Sequence, residues 1–132
     1  MNEDRRDSPG SGSPELEPVL DPERLEALRR LEAASGEAVL TQILDSFRDH
    51  SDQLLATLEE ASAQGDPEGL ALASHSLAGS AAALGGRRLS AACRDFESAA
   101  RRSDLAVCRR ALPQVAAERR RLLDLLSSQI RD

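Results

Sequence analysis

The residue of this sequence best placed to do chemistry is His75, in the run Leu70-Ala71-Leu72-Ala73-Ser74-His75-Ser76-Leu77-Ala78-Gly79-Ser80-Ala81-Ala82-Ala83-Leu84-Gly85. At about 100° of rotation per helical residue, Leu70, Leu77 and Leu84 share one stripe with Ala73 and Ala81 beside it. His75 then falls about 160° from Leu77, on the side that faces water. An exposed imidazole supplies a neutral ring nitrogen near neutral pH and can act as a nucleophile. Its neighbours at helical offsets are Ala71, Leu72, Ala78, Gly79 and Ala82, small or apolar where a solvated helix carries charge. This face is expected to be exposed and to receive a partner, with Gly79 allowing close backbone approach.

Other chemistries find little support. Gly79 and the Gly85-Gly86 pair have neither the spacing nor the lysine of a phosphate-binding loop, so ATP binding of that kind is excluded. His50 and His75 fall on different helices without a cluster of donors around either, so no metal site is expected. His50, between Asp49 and Ser51, reads as a plain surface residue. Cys93 and Cys108 each lie on an apolar helical face and read as reduced packing residues. No serine or cysteine triad is recognisable.

The elements that must position His75 are helices. Of the 132 residues, 40% are hydrophobic but only 2% aromatic, so the core is built from Leu, Ala, Val and Ile, a composition that favours helix over sheet. Residues 1–19 are polar, acidic and rich in Ser, Pro and Gly, and are expected to be a disordered tail. Residues 20–132 are expected to form one domain. Asp21-Pro22 and Asp66-Pro67 each combine a cap with proline at the first helical position, and Gly36, Gly65 and Gly85-Gly86 supply stops.

Five helices follow: Pro22 to Ala34, Glu37 to Gln64, Asp66 to Leu84, Arg87 to Arg102, and a last one opened by Ser103-Asp104 that Pro113 must kink or break. The short connections predict an all-α, up-and-down antiparallel four-helix bundle, with the short additional N-terminal helix as a lid. The net charge of −6, with basic residues interspersed among acidic ones, argues against nucleic acid as a partner. No stretch approaches the roughly 20 apolar residues of a membrane span, so a cytoplasmic protein without membrane contact is expected.

Around His75 the sequence resembles the histidine-containing phosphotransfer (HPt) domain of bacterial phosphorelays. The family's pattern of Gly-Asp, Ala-His-x-Leu-Lys-Gly-Ser, Leu-Gly, Leu, Cys and Leu-Glu before Arg is matched by Gly65-Asp66, His75, Leu77, Gly79-Ser80, Leu84-Gly85, Leu89, Cys93, Phe96-Glu97 and Arg101. The flanks agree through Leu20-Asp21, Leu25 and Phe47, so the resemblance extends over most of residues 20–127. It implies that His75 accepts a phosphoryl group from a receiver-domain aspartate and passes it to another. It also implies that the Glu97 carboxylate accepts a hydrogen bond from Nδ1–H and leaves Nε2 free to attack; read from spacing alone, Glu97 could equally be a solvated carboxylate paired with Arg94 or Arg101.

The implied partners are response-regulator receivers and a hybrid sensor histidine kinase. The chain, expected to be a monomer, would hold no cofactor, Mg²⁺ would come with the receiver, and no kinase activity of its own is expected. The alternative is an adaptor or scaffold bundle that docks a receiver without being phosphorylated. One departure separates this chain from the family. Ala78 stands where lysine is usual, and although all 17 basic residues are arginine, arginine has not replaced it. In an antiparallel hairpin Arg94 comes level with Ala78 and is the expected substitute cation.

Overall fold

The computed structural model describes residues 17–131. The described residues form five helices, here α1 (Pro22–Ser35), α2 (Val39–Gln64), α3 (Pro67–Leu84), α4 (Arg87–Arg101) and α5 (Leu105–Arg131). No strand occurs among the described residues. Consecutive helices pack on one another and α5 closes back onto α2, which makes α2 to α5 an up-and-down four-helix bundle. α1 packs on α2 and buries no residue of its own fully.

Local chemistry sets the boundaries. Asp21 Oδ1 accepts from the Glu23 amide at 3.0 Å, and Asp66 Oδ1 accepts from the Gly69 amide at 3.1 Å, so each Asp-Pro pair starts its helix as expected. α5 opens on Asp104, whose Oδ1 accepts from the Val107 amide at 3.3 Å. α2 begins at Val39, two residues later than expected, because the Glu37 amide is taken by Ser35 Oγ at 3.1 Å and the chain is still turning there. Gly85 ends α3 with φ +95°, and a Cβ there would meet Arg24 Cβ and Cγ at 2.8 Å, so glycine is required twice over. Pro113 lies inside α5 without breaking it. Its ring is exposed, where the unpaired carbonyl one turn earlier can be solvated.

The core is aliphatic, as the composition requires. Leu58, Leu70, Leu77, Leu89, Phe96, Val115, Leu122 and Leu126 are enclosed between the four long helices. Cys93 and Cys108 are free and buried. Burial pushes the Cys93 thiol up to about 12 and raises that of Cys108 as well, so both stay protonated and unreactive. Glu17 to Val19, assigned above to the tail, lie against the bundle: the Pro18 carbonyl accepts from the Arg88 amide at 3.0 Å, and Val19 packs on the core. Residues 1–16 of the expected tail lie outside the described residues.

Two residues expected on the exposed face of α3 are buried. Ala71 and Ala78 retain 3% and 4% of their surface, because the groove between α3 and α4 closes over their methyl groups. Leu72, Gly79 and Ala82 are exposed as expected. The one-helix projection cannot show how much of its flank a second helix covers.

Candidate functional site

His75 sits in the middle of α3, on the side away from Leu77, and 70% of its side chain is exposed. Ser74 beside it turns inward and bonds the Leu70 carbonyl at 2.7 Å, so the neighbouring hydroxyl is spent within the helix. Across the α3/α4 groove, Glu97 places Oε2 3.1 Å and Oε1 3.3 Å from His75 Nδ1. Small side chains line this groove: Ala71 of α3 and Ala100 of α4 border the same depression, and Ala78 lies beside Glu97 in the next.

Glu97 also has a second partner. Arg101, one turn later on α4, donates Nε at 2.9 Å and Nη2 at 2.6 Å to the same Oε2. Of the pairings that spacing allowed, the one with Arg101 forms, but on a carboxylate that is mostly buried and not solvated. Glu97 is only 15% exposed, and burial alone pushes its carboxyl upward; the hydrogen bonds and charges of Arg101 and His75 outweigh this and hold it below the usual carboxylate range.

The groove opens into a shallow depression of about 410 Å³ beside His75, with Gly79, Arg94, Glu97, Ser98 and Arg101 around it and the Ala78 methyl as its floor. Arg94 and Ala78 thus border the same depression. A Cβ on Gly79 would meet nothing within 4 Å, so no contact inside this chain requires glycine there. A second depression, beyond Arg101, is bordered by Pro67, Glu68, Leu72 and Ala100. His50 is exposed on α2 and borders a different opening, between α1, α2 and α3, with Phe47 and Arg24. Among the described residues no group of His, Cys, Asp or Glu is arranged to hold a metal ion, and no helix is long and apolar enough to cross a membrane.

An exposed imidazole, tied at Nδ1 to a carboxylate and set in a small-residue groove, is the arrangement expected from the HPt resemblance. The family model of the Hpt domain matches residues 42–129. The chain belongs to the Hpt domain family. That match covers α3 and α4 entirely, so the His75–Glu97 pair lies within it. The chain is also similar to a solved structure, the histidine-containing phosphotransfer protein B (HptB) from Pseudomonas aeruginosa PAO1, with 25% identity and a TM-score of 0.75 over 86% of this chain and 96% of that one. None of the functionally curated proteins matches the sequence. This Hpt domain is therefore a histidine phosphotransfer module of phosphorelay signalling, a class that carries phosphoryl groups and is distinct from kinases.

The structure brings His75 and Glu97 together and, of the two arginines that spacing offered to Glu97, pairs it with Arg101. The four-residue spacing signalled that the contact was possible. It did not signal that one oxygen would serve both partners.

Proposed function

We propose that His75 is the phosphoacceptor of this Hpt domain and that Glu97 orients its ring. The observation that carries this reading is the 3.1 Å approach of Nδ1 to Glu97 Oε2 on an imidazole otherwise open to solvent. With the proton on Nδ1 donated to Glu97, the Nε2 lone pair is available to an incoming phosphorus. The N–P bond forms as the P–O bond of the receiver's aspartyl phosphate breaks, its electron pair leaving with the aspartate carboxylate. Onward transfer reverses the sequence with a second receiver. Partners are response-regulator receivers and a hybrid sensor histidine kinase; Mg²⁺ belongs to the receiver and this chain supplies no cofactor.

Leu72, Gly79 and Ala82 form the exposed part of the docking face, with Ala71 and Ala78 contributing the floor of its groove. Arg94 faces the phosphoryl oxygens in place of the family's lysine, which its position beside Ala78 supports.

Phosphorylated receiver domains incubated with the protein test the assignment. Acid-labile, base-stable label is expected on His75, retained in His50→Gln and lost in His75→Gln with an unchanged melting curve. Label persisting in His75→Gln would overturn it, and an unlabelled protein that still binds receivers would establish the adaptor reading.

A further inference from the structure

His75 alone does not select its own tautomer. Its ring is mostly exposed, and the contact that distinguishes Nδ1 from Nε2 is the one to Glu97. A glutamate has three side-chain torsions, so a contact made from one side only is easily lost to other rotamers. Here the carboxylate has a second hold as well, two charge-assisted bonds from Arg101 that end on Oε2, the oxygen nearest Nδ1. Such an oxygen is a weak base, so it accepts the hydrogen bond from Nδ1–H without taking the proton. The Nε–Nη2 edge of the guanidinium, the edge that forks onto carboxylates and phosphates, is turned toward Glu97.

We propose that Arg101 is a positioning residue for phosphotransfer: by gripping Glu97 it locks His75 in the Nδ1–H tautomer with Nε2 outward, without itself binding the phosphoryl group. The inference rests on the reading of His75 as phosphoacceptor. The proton on Nδ1 stays in place while the N–P bond forms at Nε2 and the aspartyl P–O bond breaks. The positive charge that appears on the phosphorylated ring then faces Glu97. When the N–P bond breaks in onward transfer, its electron pair returns to Nε2 and the same tautomer is restored. Arg94, on the other side of the depression, is left for the phosphoryl oxygens.

Ring ¹⁵N chemical shifts of His75, assigned with His50→Gln, report the tautomer directly, and receiver-to-protein transfer rates report its consequence. The parent is expected mainly as Nδ1–H. Arg101→Ala is expected to populate the Nε2–H form that free histidine prefers and to slow phosphoryl acceptance roughly tenfold, at unchanged receiver affinity, the order of loss typical when the partner of an orienting group is removed. Arg101→Lys, which keeps the charge but loses the fork, is expected to recover part of both. Arg101 is 56% exposed, so the fold is expected to survive, and Arg101→Gln provides a second neutral variant.

An unchanged tautomer in both neutral variants overturns the proposal, whether or not transfer slows. So does a shortened phosphohistidine lifetime with tautomer and acceptance rate intact, which would place Arg101 on the phosphoryl group itself. Label on a residue other than His75 in the parent would instead overturn the phosphoacceptor assignment, and the ¹⁵N measurement would still decide what Arg101 does to the ring.

Discussion

Burial and hydrogen bonding act on Glu97 in opposite directions, and the outcome determines a pH dependence. Burial raises its carboxyl, but Arg101 and His75 together bring it below its ordinary value. A group whose folded value is depressed stabilises the fold above the unfolded value, about 4.3 for glutamate, and loses that contribution as pH falls through the folded value. The stability difference between the parent and Glu97→Gln is therefore expected to be constant above about pH 5 and to shrink below about pH 4. Urea unfolding at a series of pH values measures it. A difference independent of pH down to the acid limit would show that the charged form of Glu97 is not what the fold favours.

At the level of elements, α3 and α4 meet along small side chains, and α5 tolerates a proline. With Ala71, Ala78 and Ala100 along the groove, a glutamate spans the gap to an imidazole. Pro113 removes one helical hydrogen bond from α5 while remaining exposed. Alanine in a helix interior is better than proline by up to about 3 kcal/mol, offset by about 0.4–1 kcal/mol for the freedom returned to the unfolded chain. Pro113→Ala is expected to stabilise the protein by about 1–2 kcal/mol in urea unfolding, with phosphotransfer unaltered. A loss of stability would mean that α5 needs the proline's local geometry to close onto α2.

For the whole molecule, the relevant feature is which surface is left apolar once the core is closed. Leu72 is 58% exposed beside the Arg101 end of the groove, and Gly79 has open space where a side chain would stand. Neither supports the interior, so both are free to serve a partner. Leu72→Asp and Gly79→Gln are each expected to weaken receiver binding at least tenfold by calorimetry. Melting should be unchanged for the first and unchanged or improved for the second, since leaving glycine in mid-helix recovers about 0.5–1 kcal/mol. Full affinity in both variants would place docking on another face.

The sequence by itself determined the helices and the face of α3 that bears His75, because caps, prolines and leucine spacing act within one element. Asp21, Asp66 and Gly85 stop or start helices through bonds a few residues long, and Cys93 and Cys108 turn inward on their own helical stripes. Only the tertiary structure decided that Ala71 and Ala78 form a floor and not a rim, since burial there depends on how closely α4 approaches. It also decided that Arg101, and not Arg94, holds Glu97. Both arginines lie within a helical turn of that carboxylate, and the choice between them depends on where α3 places the imidazole that draws Glu97 to one side. The Arg101 pair is spaced along α4 alone, but the contact of Glu97 with His75 is made across two helices, and spacing along one of them carries no record of it.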